Sequence, residues 1–177
     1  MSQKNITVEE CYELLKKYNT PPHVIRHCEA VAETAVKLAK LLNEHGGNLN
    51  IDLIRGAALI HDIARVEEHH EIIGADIARM LGYEDEAAII NVHMTYDMNK
   101  EVDSLNEADL VCFGDRVVKE DKYVGLSDRM DYVIEKVKDR PDSIKRIRKK
   151  QEETEILISK IEKRLGITID ELMSKER

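Results

Sequence analysis

Almost every stretch of this chain spaces its apolar residues three and four positions apart, the repeat that gathers them on one side of an α-helix. This property restricts the fold to packed helices, because each apolar stripe must be buried against another element. The punctuation between stripes is equally legible. Thr7 to Glu10 has the spacing of a capping box and opens a helix expected to reach about Tyr18, where Asn19 and Pro21-Pro22 stop it. A long helix follows over about 23–45, closed by Gly46-Gly47, and Asn50 is placed to cap the next, which carries Ile54, Ala57, Ala58 and His61. Beyond a polar break at 66–69, helices are expected over about 70–81 and 84–94, then an irregular stretch over 95–103. Ser104 to Glu107 reads as a second capping box for a helix to about Glu120, and a further helix is expected over about 127–137. Pro141 suits the first turn of a long charged helix reaching Leu165, and Thr168 to Glu171 caps a last short turn.

No segment alternates well enough to predict a strand, and there is no repeat or low-complexity linker. The expectation is an all-α, single-domain helical bundle: an N-terminal helix at 1–20, a central body at 21–140 and a charged C-terminal helix at 141–177. The last segment has only a thin apolar line (Ile144, Ile147, Ile156, Ile161), so it is expected to pack outside the core or against a second subunit of a homodimer.

At 177 residues the chain can bury a proper core. Its formal charge of −8 opposes a grip on a long polyanion, and with no Trp and one Phe it lacks a stacking platform for single-stranded nucleic acid. The start MSQKNITVEE has no signal-peptide pattern and no apolar run is long enough to cross a bilayer, so a cytoplasmic location without membrane contact is expected. Cys11, Cys28 and Cys112 are scattered among apolar residues without CxxC spacing and read as reduced core thiols.

The stretch "AALIHDIAR" breaks the pattern, because His61 and Asp62 end an apolar run in which unpartnered polar groups are costly. They are not alone. The apolar stripe of the second helix (Val24, His27, Val31, Ala35, Leu38, Leu42) includes a histidine, as do the fourth (His70, Ile73, Ile77, Leu81) and the fifth (Ile89, Ile90, His93). The sixth (Ala108, Val111, Cys112, Asp115, Val118) includes a carboxylate. One inward histidine is ordinarily a hydrogen-bonded core residue. Six such groups, His27, His61, Asp62, His70, His93 and Asp115, are what two divalent transition metal ions need, since the metal charge offsets the burial of the carboxylates.

The stretches "VIRHCEAVAETAVKLA", "GAALIHDIAR" and "ADLVCFGDRVV", with "HHEIIGADIARMLG" and "NVHMTYD" between them, resemble the HD-domain superfamily of metal-dependent phosphohydrolases over about residues 22–120. The H-x-x-x-G-A element falls on His70 rather than His69. The resemblance implies that His27, His61, Asp62 and Asp115 hold one metal and that Asp62 bridges to a second held by His70 and His93. That ligand set is similar to the dinuclear branch, including the YqeK-type hydrolases of diadenosine tetraphosphate. Two features depart from many dinuclear relatives: His93-Met94 stands where they carry His-His, and a GYP element is absent. Where another common relative has Lys four residues after the His of HD, this chain has Arg65.

The implied activity is hydrolysis of a phosphoester or phosphoanhydride in a small nucleotide-like molecule by a metal-activated water, with Asp62 and Arg65 in catalytic roles. Arg26, Arg65, Arg116 and Lys119 are the candidate phosphate-binding cations, against the alternative of a solvated helix face; for His23 and His69 that alternative is preferred. Iron, manganese, nickel, cobalt and zinc all suit such a donor set. The superfamily's diiron oxygenases and a noncatalytic metal-binding sensing domain remain alternatives to a hydrolase.

Overall fold

The computed structural model describes residues 4–175. In chain order the helices are α1 (Val8–Lys17), α2 (Pro22–Glu44), α3 (Ile51–Ile60), α4 (His70–Met80), α5 (Glu84–Val92), α6 (Glu107–Val117), α7 (Leu126–Lys136), α8 (Pro141–Leu165) and α9 (Ile169–Ser174). A two-stranded ribbon, β1 (Val118–Lys119) and β2 (Lys122–Tyr123), interrupts them after α6. The local signals act as expected at several ends. Thr7 and Thr168 each accept from the backbone three residues on, and Glu10 and Glu171 close both capping boxes; Asn50 accepts from the Leu53 N–H. Pro141 starts α8, and Gly166, at φ 66°, ends it in the left-handed region that suits glycine.

Helix α3 is central because its sequence IDLIRGAALI is apolar almost all round: Leu53, Ile54 and Gly56 to Ile60 are all buried. It packs on α1, α2, α5 and α6, while α4 lies against α5. Helices α2 and α6 approach closely at Gly114, where a β-carbon would sit 2.9 Å from the Val31 carbonyl oxygen. A side chain there would push the two helices apart, and with them His27 and Asp115. The N-terminal segment is fastened by Glu86 of α5, fully buried, whose Oε1 accepts from the Ile6 N–H (3.0 Å) and from Asn5 (3.3 Å).

The structure departs from the expected boundaries in two places and from the expected buried faces in two more. The capping box of α6 is formed by Asn106 and Asp109, not Ser104 and Glu107, because residues 102–104 are taken up by a 3-10 turn. Helix α6 stops at Val117 rather than near Glu120: the β-branched pair Val117-Val118 turns to extended chain, Val118 pairs with Tyr123, and Glu120 takes φ 55° in the turn. This ribbon corrects the expectation of a chain without strands. On α4, Ile73 and Leu81 are exposed, and the inward face is His70, Gly74, Ala75, Ile77 and Ala78, small residues that a hydrophobicity count passes over. On α8, Ile156 is exposed while Leu157, Ile161 and Leu165 are buried, each stabilising the packing of α8 by about 1.5–3 kcal/mol. Tyr123 of β2 donates to Asp170 of α9 at 2.6 Å, tying the C-terminal end to the ribbon. The three cysteines are buried and free, as expected of core thiols.

Candidate metal centre

His61 and His93 stand just past the last turns of α3 and α5, where the backbone carbonyls of a helix end lack partners. Each uses one. His61 Nδ1 donates to the Ala58 carbonyl at 2.7 Å, and His93 Nδ1 donates to the Ile90 carbonyl at 2.6 Å. His27, one turn into α2, donates Nδ1–H to the Glu120 carbonyl at 2.7 Å, across the ribbon turn. A carbonyl only accepts, so in all three rings the proton sits on Nδ1 and Nε2 is the atom turned inward. His70 opens α4 because His69 before it takes φ 57°; the His69 side chain is 70% exposed and that of His70 only 7%.

The inward Nε2 atoms meet two carboxylates. His27 Nε2 lies 3.0 Å from Asp115 Oδ1, and His61 Nε2 lies 3.8 Å from that oxygen and 3.7 Å from Asp62 Oδ2. His70 and His93 present Nε2 to Asp62 Oδ1 at 3.2 and 3.5 Å. The four rings follow one another at centroid separations of 5.6, 5.2 and 5.3 Å. Two triads, His27–His61–Asp115 and His61–Asp62–His93, each have ligand atoms within 4.8 Å of one another, with His61 common to both. All six residues singled out in the sequence come together; His23 and His69 are exposed, and His23 reaches only the cleft wall.

The donor set fits divalent metal ions. Among the described residues, His61 Nε2 and His70 Nε2 are buried without hydrogen-bond partners, and an unsatisfied buried polar atom costs about 1–3 kcal/mol. A neutral His27 held by Glu120 turns a lone pair toward a carboxylate lone pair, which is repulsive unless a cation lies between them. The electrostatics agree. Burial disfavours charge on Asp62, Asp115 and His61 alike, yet the facing histidines hold both carboxyls well below the usual range, and Cys28, Asp62 and Asp115 raise His61. The cluster favours added positive charge, which a metal ion would supply in place of a proton.

This cluster floors a cleft of about 1080 Å³. Arg65 reaches over it, with Nε 3.5 Å from Asp62 Oδ2, and Arg26 lines the cleft 3.8 Å from Asp121 Oδ2. Arg116 is placed differently from the solvated or phosphate-facing position expected. It is buried, donating to Thr154 Oγ1 of α8 at 3.0 Å and to the Tyr96 carbonyl, so it fastens α8 and the 95–101 loop to α6 while still touching the cleft. Lys119 is not among the cleft-lining residues, because α6 has ended before it; its ammonium lies 4.7 Å from the Tyr132 ring.

Sequence reading missed the cations of the opposite wall: Arg129 and Lys136 of α7, Arg146 and Lys150 of α8. Their helical spacing was visible, but a basic helix face reads equally well as solvated surface.

The HD domain family model matches residues 24–133. An uncharacterized protein of Methanocaldococcus jannaschii is 38% identical over 71 residues, 38% of this chain and 42% of the relative. A tRNA (cytidine(56)-2'-O)-methyltransferase of Picrophilus torridus is 27% identical over 161 residues, 82% of this chain and 45% of the relative. A ribonuclease Y of Chloroflexus aurantiacus is 35% identical over 108 residues, 57% of this chain and 20% of the relative. The chain therefore spans less than half the length of each of these relatives. No solved structure matches it. Helical architecture, a buried His/Asp cluster able to hold metal and a family match over most of its length agree: the chain belongs to the HD-domain family.

Proposed function

We propose that this protein is a metal-dependent phosphohydrolase that cleaves a phosphoester or phosphoanhydride of a small nucleotide-like molecule, using two divalent transition metal ions. One observation carries the reading: four imidazole Nε2 atoms converge on two carboxylates at the floor of an open cleft whose walls bear cations. His27, His61, Asp62 and Asp115 would hold one ion, and Asp62, His70 and His93 the other. Bound there, such ions lower the pKa of a water and polarise a phosphoryl oxygen.

The remaining work falls to the chain's own side chains. The three Nδ1–H···O=C bonds fix ring orientation, so the donor atoms need little reorganisation when charge develops. Arg65, half exposed beside Asp62, is placed to swing onto phosphoryl oxygens that the metal ions leave uncompensated. Arg26 and Arg116 offer further positive charge at the cleft. The cleft volume suits a small molecule rather than a polymer, and the net charge of −8 repels a long polyanion.

The test is release of phosphate or nucleotide from a panel of nucleotides and dinucleoside polyphosphates, with iron, manganese and cobalt supplied in turn. Turnover of at least one phosphate compound, abolished by chelation, is expected. Silence across the panel together with oxygen consumption by the iron-loaded protein would contradict the hydrolase and assign the site to an oxygenase.

A further inference from the structure

Helix α8 lies beyond the stretch matched by the family model, yet it builds one wall of the cleft. Its cleft-lining residues Ser143, Arg146, Ile147 and Lys150 fall at i, i+3, i+4 and i+7, one face of the helix. On the neighbouring helix, α7 presents Arg129 and Lys136 seven residues apart, both against the Tyr132 ring, at 5.7 and 4.1 Å from its centroid.

Their ion pairing separates these cations from their neighbours. Arg148, on another face of α8, pairs with Asp131 at 3.1 Å, and Lys149 pairs with Glu153 at 3.7 Å. Among the described residues, Arg129, Lys136, Arg146 and Lys150 have no carboxylate within ion-pair distance. Lys150 is only partly exposed, and its ammonium donates to the Met94 carbonyl at 2.9 Å, one residue from His93. Burial and the nearby Arg116 and Arg146 push its pKa down, outweighing the opposing pull of Glu153. Such crowding is unfavourable in the free protein and is relieved by a bound anion.

We infer that Arg146 and Lys150, with Arg129 and Lys136, form a second anion subsite, so that the ligand of this cleft is a small molecule bearing two or more phosphate groups. One phosphate lies over the histidine and aspartate floor, and another is held against α7 and α8. The assignment rests on the phosphohydrolase reading for the group at the floor, whereas the subsite itself rests on the four cations.

The experiment is calorimetric titration of the full chain with α,β-methylene-ADP, whose P–C–P link resists cleavage, and separately with inorganic phosphate. Replacing Arg146 and Lys150 together by Ala should weaken α,β-methylene-ADP about tenfold or more and inorganic phosphate less than about twofold, since charge-assisted contacts to only one phosphate are removed. The exposed single change Arg146→Glu, which carries little folding risk, should weaken α,β-methylene-ADP in the same direction, and Arg148→Ala should leave both ligands unaffected. Equal affinity of parent and double variant for α,β-methylene-ADP, or equal losses for the two ligands, would overturn the subsite. If the selective loss is seen in a protein that hydrolyses no phosphate compound, the subsite stands and the hydrolase falls. If hydrolysis is seen while the variants keep full affinity, the reverse holds.

Discussion

The floor and the far wall of the cleft carry comparable numbers of polar groups, but they are built on opposite principles. On the floor, His61 and His93 are buried, and each is locked by a hydrogen bond to a carbonyl of its own helix end. On the wall, Lys136 and Arg146 are exposed at the ends of flexible stems, anchored chiefly by an aromatic ring and a serine. A rigid donor set suits ligands that must be held at fixed positions while charge develops; mobile cations suit recognition of a group whose exact position can vary. On the proposed reading, the difference separates chemistry from recognition within a single cavity.

If that division is right, the largest effect belongs to Asp62. Asp62→Ala removes the carboxylate that faces His61, His70 and His93, and should abolish metal retention and lower turnover roughly a thousandfold or more. Metal analysis and phosphate release read both, and circular dichroism should show the helices intact. Next come His70→Ala and His93→Ala, each expected to lower metal content from about two ions toward one, whereas exposed His69→Ala should change nothing. Equal stoichiometry in all three variants would reduce the floor to a single-metal site.

The floor was legible in the sequence because burial leaves a periodic trace: a histidine on an apolar stripe is conspicuous. Five ordered motif elements then identified the family, and the helix order followed from caps, glycines and prolines. The wall was illegible because Arg146 and Lys150 lie in the same run of basic residues as Arg148 and Lys149, which are paired with carboxylates elsewhere on the surface. Only tertiary packing decides which of these cations meets the cleft. The surroundings of Lys119 and Arg116 escape the sequence for a related reason. Both were read onto one continuous helix, but chain reversal at Glu120 diverted the first, and Thr154, thirty-eight residues on, captured the second. On α4 the inward Gly74 and Ala78 leave no hydrophobic signal, so apolar spacing points to Ile73 and Leu81 as core although they are exposed.

Arg65 tests the border between floor and wall. Arg65→Ala should lower turnover about 10- to 100-fold without changing metal content, because a charge-assisted phosphate contact is lost and the donor set is untouched. A drop in metal content would instead make Arg65 part of the floor's support.

A smaller effect is expected where the floor's rigidity originates. Gly114→Ala forces a methyl group against the Val31 carbonyl and should destabilise the protein by about 1–3 kcal/mol in thermal or denaturant unfolding. An unchanged midpoint would show that α2 and α6 can separate freely.

The smallest belongs to Glu10, far from the cleft. The Thr7 backbone and side chain, with Lys4, hold its carboxyl down at about 2 from an ordinary 4.5. Because the folded-state value is depressed, its contribution to stability is full above about pH 4.5 and fades as the pH falls toward 2. The difference in melting temperature between the parent and Glu10→Gln should therefore shrink over that window, with metal content at neutral pH unaltered.

The central claim is that the histidine and aspartate floor is a two-metal site, and the most direct measurement is the metal content of the full chain purified without added metal, beside that of His61→Ala. His61 is common to both triads and is fully buried. The account predicts about two transition metal ions per parent chain and a folded, less stable His61→Ala variant that retains essentially none. A His61→Ala variant carrying as many ions as the parent would contradict it.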